Sequence, residues 1–204
     1  MRAGYMPAVG VAEFRDDMPE PQIEKADDVK IKIRNCGICG SEVHAIHGLH
    51  PFRIPPIVSG HEVAGDVVAV GEGVTKFKVG DRVTVEPHYG CGHCWYCDHG
   101  LYNVCPDKKV LGAGPWSGGL GEYIVTPEQT VVPIPEKLSY EEGALIEPIA
   151  NGMYAVRNSK IDEETNIVVI GCGPIGIGDF LCARLYDPRS ILMVDVADFN
   201  LQKA

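Results

Sequence analysis

The chain predicts a β-rich, partly closed barrel followed by the first βαβ unit of an α/β domain. Three observations carry this. Short apolar runs punctuated by glycine and proline fill residues 1–138 without a long helical pattern. The character changes at Ser139, where a helix-start signature opens a helical stretch. From Ile167 to Val194 an apolar run, a glycine-rich turn, a helix and a second apolar run follow in order.

The elements read as follows. Val29, Ile31 and Ile33 alternate with Lys30, Lys32 and Arg34, the period of two of a half-buried strand. Further strands are expected over Glu62–Val70, Arg82–Glu86, Glu122–Val125 and Val131–Ile134, separated by Gly71, Gly73, Gly80, Pro87 and Pro127. Many short strands of this kind close most economically into a barrel. In Ser139-Tyr140-Glu141-Glu142 the serine hydroxyl and the later glutamate can satisfy free amides at a helix start. That helical stretch is expected to break near Pro148 and to end near Arg157. Ile167–Ile170 and Ile191–Val194 read as buried strands flanking a helix from Pro174 to about Tyr186, which Asp187-Pro188 stops. The expected organisation is a first domain over residues 1–138, a connecting helical segment over 139–160 and the start of a second domain over 161–204.

A net charge of −10 argues against a polyanionic partner, so neither nucleic acid nor an anionic membrane surface is expected. No apolar run approaches the ~18 residues of a membrane span. Met1 to Phe14 lacks a basic stretch followed by an apolar one, so no signal peptide is expected. Together these give the expectation of a cytoplasmic protein.

Eight cysteines then need a reason, because a reducing compartment disfavours a disulfide framework. Four of them follow the pattern Cys91-x2-Cys94-x2-Cys97-x7-Cys105. Four thiolates so spaced can wrap one tetrahedral zinc ion in a closed structural site. Such a loop, with little aliphatic side chain, would owe its order to the metal. An iron–sulfur cluster also uses four cysteines, and it stays open as an alternative. His93 and His99 lie inside this loop and read as surface residues.

A second candidate metal site draws on Cys36-Gly37-Ile38-Cys39-Gly40-Ser41-Glu42-Val43-His44 and on Gly60-His61-Glu62. One thiolate, one imidazole and one carboxylate make an open zinc shell with a place left for water or substrate. Cys36 and Cys39 could instead be a redox pair or half of a zinc knuckle. His47 and His50, close to His44, are alternative imidazoles.

Ile167–Ile170 runs into Gly171-Cys172-Gly173-Pro174-Ile175-Gly176. This Gly-x-Gly-x-x-Gly follows an apolar strand and opens a helix, the context of a Rossmann dinucleotide fingerprint. The first glycine turns the chain, the second admits the pyrophosphate, and the third lets the helix pack on the strand. Gly171, Gly173, Pro174, Ile175 and Gly176 would present the helix N-terminus to the phosphates. Asp195, at the end of the next strand, can bond the ribose hydroxyls of NAD. Cys172 and Cys182 read as small buried residues.

Gly60-His61-Glu62-x2-Gly65-x5-Gly71-x2-Val74 resembles the signature of zinc-containing medium-chain alcohol dehydrogenases. The Cys39-Gly40-Ser41-x2-His44 run and the four-cysteine lobe have that family's spacing. Leu145-Ile146-Glu147-Pro148 is similar to its polyol (sorbitol/L-iditol) branch. The resemblance implies a GroES-like first domain and a Rossmann second one. It implies a catalytic zinc at Cys39, His61, Glu62 and Glu147, the two carboxylates directly or through water, and a structural zinc on Cys91, Cys94, Cys97 and Cys105. Ser41 and His44 match the proton relay, and Glu62 the carboxylate next to the metal. The implied activity is zinc-dependent, NAD-linked oxidation of a secondary, polyol-type alcohol to a ketone, in a homo-oligomer, dimer or tetramer. An L-threonine 3-dehydrogenase-like activity is the nearest alternative. Because the chain stops after its first βαβ unit, a truncated, non-catalytic zinc-binding fragment is another.

Overall fold

The computed structural model describes all of residues 1–204. The chain divides into two compact units, Met1–Leu145 and Ile146–Ala204. The first runs through β1 (Ala3–Ala8), β2 (Val11–Arg15), β3 (Asp28–Gly37), α1 (Gly40–Ile46), β4 (Glu62–Val70), β5 (Arg82–Val85), β6 (His88–Tyr89), α2 (Trp95–Asp98), β7 (Lys109–Val110), β8 (Tyr123–Pro127), β9 (Val131–Pro133) and α3 (Tyr140–Ala144). The second holds α4 (Ile146–Asn158), β10 (Asn166–Ile170), α5 (Pro174–Ala183), β11 (Ser190–Val194) and α6 (Asp198–Leu201). No helix is long and apolar enough to cross a membrane.

Five strands of the first unit form one antiparallel sheet in the order β8-β3-β4-β5-β9, curled into a half-barrel. Irregularities in the β3–β4 pairing at Lys30/Ile31 and Ile33/Asn35 bend and twist it. Its inner face is the core: Val29, Ile31, Val63, Val67, Val83, Val85 and Ile124 are all buried and in one cluster with Leu111. The alternation expected in β3 is therefore present, but its polar face is not simply solvated. Lys30 is buried too, with its ammonium on Glu20 and over the Tyr123 ring. The β1–β2 hairpin and the short β6–β7 pair were not foreseen, since Val11–Arg15 is mostly exposed and β6 and β7 have two residues each.

The capping box forms as read: Ser139 Oγ accepts from the Glu142 amide, and Glu142 Oε2 accepts from the Ser139 amide. The break that follows falls at Leu145, not near Pro148. Pro148 lies within the first turn of α4, where its missing N–H would have had no partner in any case. Residues 139–160 thus divide between the units, α3 in the first and α4 in the second.

In the second unit β10 and β11 pair in parallel, Asn166 opposite Ser190 through Ile170 opposite Val194, with α5 between them in sequence. Val156, Cys182 and Ala183 form the core, with Ile167 and Ile191 packed on it. A short 3-10 turn extends α5 to Tyr186, and Asp187, in the left-handed region, ends it.

One polar cluster docks α3 on the sheet. Tyr140 Oη donates to Asp66 Oδ1 and Arg34 Nε donates to Asp66 Oδ2. The Arg82 guanidinium lies over the Tyr140 ring and donates to the Leu138 and Glu136 carbonyls. Burial pushes the Asp66 carboxyl up, but the Tyr140 hydroxyl and Arg34 outweigh it, and its pKa lies below the ordinary value. A depressed folded-state pKa means a contribution that is present above the ordinary carboxylate range and lost as pH falls through the folded value. Asp66→Asn should therefore cost about 1–2 kcal/mol at pH 7, mostly from the Tyr140 bond because Arg34 is half exposed. Urea unfolding of both proteins should show that difference shrinking below pH 4; a difference independent of pH would refute the ionised-carboxylate account.

Candidate metal centres

The four-cysteine loop folds back on itself around its own sulfurs. Cys91 and Cys97 Sγ are 3.9 Å apart, Cys94 and Cys97 3.6 Å, and Cys94 and Cys105 3.7 Å. A tetrahedron with zinc–sulfur bonds of about 2.3 Å has edges of about 3.8 Å, so the four thiols fit one zinc ion. A multi-iron cluster would hold them on separate irons and farther apart. The Cys91 amide points at Cys105 Sγ and the Gly92 amide at Cys97 Sγ, as amides do toward thiolates. Against the effect of burial, the Cys91 amide and then that of Asp107 bring the Cys105 thiol down to about 7. His93 and His99 are exposed, with His99 stacked on Trp95.

The second cluster is built by the β3–β4 pairing. Gly37 at the end of β3 stands opposite Glu62 at the start of β4. A side chain at Gly37 would overlap the Glu62 carboxylate, so glycine there is what leaves room for it. Two residues beyond β3, Cys39 caps α1. The chain thus delivers Cys39 from one strand end and His61 and Glu62 from the adjoining strand start. The ligand atoms of Cys39 and His61 lie within 4.8 Å of each other, as do those of His61 and Glu62. Both His61 and Glu62 are buried. Glu147 stands half-buried in the first turn of α4, in the second unit.

Glu42, which the sequence reading passed over, is the anchor of this cluster. It is 2% exposed. Its Oε2 accepts from the Cys39 amide at 3.0 Å. Its Oε1 accepts from Ser59 Oγ at 2.9 Å and the Gly60 amide at 3.3 Å, and lies 3.0 Å from His61 Nδ1 and 3.4 Å from Arg53 Nη1. Burial would raise its pKa; the His61 hydrogen bond, then the charges of His61 and Arg53 and the Ser59 hydroxyl, bring it down to about 2. An ionised carboxylate only accepts, so His61 Nδ1 is the donor, which in the neutral ring leaves the Nε2 lone pair for a metal. The only sequence signal for Glu42 was its place three residues after the helix cap, which reads as an ordinary first-turn acid.

The neighbouring candidates separate. Burial, with Glu42 and Glu62 adding to it, pushes the Cys36 thiol up to about 12. It stays a neutral thiol, bonded to the Gly37 carbonyl. His50 Nδ1 accepts the amides of Phe52 and Arg53 and closes a loop. His44 and His47 are exposed. Ser41 Oγ is buried with no hydrogen-bond partner, an orphaned hydroxyl in the first turn of α1 beside Glu42.

In the second unit Gly171, at φ 104°, turns the chain out of β10, and Gly173 caps α5 with Pro174 at its first position. A side chain at Gly176 would overlap the Gly171 carbonyl, so the helix start packs against the turn. Ile175 is exposed there. Asp195 accepts from the Cys172 amide at 2.7 Å, the Ala197 amide at 2.8 Å and the Asn200 amide group at 3.1 Å. These bonds, the Cys172 amide first, hold its carboxyl below the ordinary pKa. Cys172 and Cys182 are buried.

Residues 25–136 match the model of the family described as "Alcohol dehydrogenase GroES-like domain". A sorbitol dehydrogenase of Bacillus subtilis (strain 168) is 38% identical over 192 residues, 93% of this chain and 54% of that protein. The crystal structure of galactitol-1-phosphate dehydrogenase from Escherichia coli matches with a TM-score of 0.92 at 32% identity, over 100% of this chain and 58% of that one. A protein of Sinorhizobium meliloti 1021, solved bound to NADP, matches with a TM-score of 0.90 at 32% identity, over 99% of this chain and 58% of that one. The chain spans about half the length of the curated relatives it matches.

Removing one thiol leaves three sulfurs around a shell that needs four. Cys97→Ser should release one metal ion per chain and cost on the order of 4 kcal/mol, the range reached when a structural metal is lost. Metal analysis and denaturant unfolding measure both. Unchanged metal content with unchanged stability would remove the lobe's assignment as a metal site.

Proposed function

The chain belongs to the alcohol dehydrogenase GroES-like domain family, and on that premise we propose that it carries the zinc-binding part of a nicotinamide-dependent oxidoreductase that converts a secondary, polyol-type alcohol to a ketone. In this reading residues 1–138 are the catalytic zinc-binding domain and residues 161–204 the start of a Rossmann NAD-binding domain. The observation that carries it is His61, which has Cys39 within ligand distance in one group and Glu62 in another, with its Nδ1 against the Glu42 carboxylate. The sorbitol dehydrogenase relative and the galactitol-1-phosphate dehydrogenase structure support the substrate class.

Cys39, His61 and Glu62, with Glu147 as the proposed fourth ligand, would hold the catalytic ion; Cys91, Cys94, Cys97 and Cys105 would hold the structural one. A zinc ion in the first site supplies Lewis acidity that lowers a hydroxyl pKa, and a bound nicotinamide supplies a hydride acceptor. Ser41 Oγ, buried and without a protein partner, is the group proposed to take the hydroxyl proton. His44, exposed on the same helix, passes it toward solvent. Glu42 holds His61 still while this happens. Gly171, Gly173, Pro174, Ile175 and Gly176 receive the cofactor pyrophosphate at the start of α5. Asp195 accepts the ribose hydroxyls, and its charge would oppose an added 2′-phosphate. No lysine or arginine lies among Val196–Asn200 to compensate, so the proposed cofactor is NAD.

In a catalytically competent form, His61→Ala should lose one metal ion and all measurable turnover. His44→Ala should keep both ions and lose about 100-fold, with partial rescue by imidazole. Metal analysis beside steady-state assays of polyol oxidation separates the two roles; full activity with two ions in His61→Ala would overturn the ligand set. Fluorescence titration should show NADH bound at least tenfold more tightly than NADPH, a gap that closes in Asp195→Asn. Equal affinity in the unsubstituted chain would refute the role given to Asp195.

A further inference from the structure

Arg53 lies in the proline-rich connection between α1 and β4, where nothing in its surroundings in sequence suggests a role. Its side chain is nevertheless 3% exposed. Nη1 donates to the carbonyls of Leu111 and Gly112, both at 2.9 Å, and reaches Ser59 Oγ and Glu42 Oε1, both at 3.4 Å. A side chain on Gly112 would crowd that same Nη1, so the backbone closes directly over the guanidinium. Two carbonyls thus fix a buried cation against a buried carboxylate.

The charge balance gives this arrangement its meaning. The other groups on Glu42 are the Cys39 and Gly60 amides, the Ser59 hydroxyl and His61 Nδ1. If His61 gives Nε2 to a metal, its ring is neutral, and Arg53 is then the one full positive charge within reach of Glu42. A buried carboxylate stripped of its counter-charge tends to move toward water. That displacement would release the hold on His61.

We propose that Arg53 is a positioning residue for the catalytic metal: it holds the Glu42 carboxylate in place, and Glu42 in turn holds His61 with Nε2 toward the ion. The inference rests on the ligand set proposed above. In this reading Arg53 contacts neither substrate nor cofactor and acts on the metal site through Glu42.

Cobalt(II) titration of the full chain against a competing chelator tests it. The four-thiolate lobe and the mixed thiolate–imidazole–carboxylate site give different visible spectra, so the lobe serves as an internal control. Arg53→Met should weaken cobalt binding at the mixed site by about 10- to 100-fold, the usual effect of losing a residue that orients a ligand, and leave the lobe unchanged. Arg53→Lys, which keeps the charge but not the fork, should lie between. In a Glu42→Gln background Arg53→Met should add less than threefold. A mixed-site affinity within twofold of the unsubstituted chain in both Arg53 variants would overturn the proposal. Parallel loss at both sites in Arg53→Lys would also overturn it, by assigning Arg53 to folding alone; this variant decides the matter if Arg53→Met does not fold. If the unsubstituted chain shows only the lobe spectrum, the catalytic ligand set itself fails, and Arg53 with it.

Discussion

A one-residue slip between β3 and β4 would turn every side chain of either strand to the opposite face, and both halves of the candidate metal site would go with it. Gly37 faces Glu62 and Cys36 faces Val63. That register sets Cys39, just beyond one strand, beside His61 and Glu62 at the start of the other. The register is itself held by burial: Val29, Ile31, Val63 and Val67 supply the core from these same two strands. A slip of either strand would expose two of these buried branched side chains at about 1.5–3 kcal/mol each. The core thus enforces the register on which the site depends.

Where the core ends, other forces take over. Around Cys91–Cys105 the large side chains face solvent: Trp95, Tyr96, Leu101, Tyr102 and Val104 are all exposed. Hydrophobic burial cannot order such a loop, and four sulfurs at tetrahedral spacing can. Around Glu42 the reverse holds. The group is polar and charged, yet buried, so every oxygen lone pair in reach of a donor counts. Five groups from three stretches of chain, at Cys39, Arg53 and Ser59–His61, meet it. Satisfied in this way, a buried network fixes one arrangement; stripped of one partner it becomes costly.

Much of this was legible in the sequence because it is local. The alternation at Val29–Ile33, the cysteine spacing, the capping box at Ser139 and the Gly171–Gly176 turn each depend on residues within a few positions of one another. The resemblance added the likeness of Cys39, His61 and Glu62 to metal ligands. What escaped was what only tertiary contact creates. Glu42 looked like a helix-start acid, and its burial depends on Ser59, seventeen residues on. Arg53 looked like a loop cation, and its partners are carbonyls near residue 111. Lys30 fitted a solvated strand face until Glu20 and Tyr123 covered it. The break between α3 and α4 was misplaced for a different reason: proline was read as a stop, although a first-turn proline costs a helix nothing.

Metal binding at the open site turns on His61 presenting Nε2 while Nδ1 is committed to Glu42. Crystals of the zinc-loaded chain, measured on both sides of the zinc absorption edge, test this most directly. An anomalous difference map should show two peaks, one equidistant from the four lobe sulfurs and one within about 2.0–2.3 Å of His61 Nε2 and Cys39 Sγ. A single peak in the lobe, or a second peak on the Nδ1 side of His61 between the ring and Glu42, would contradict it.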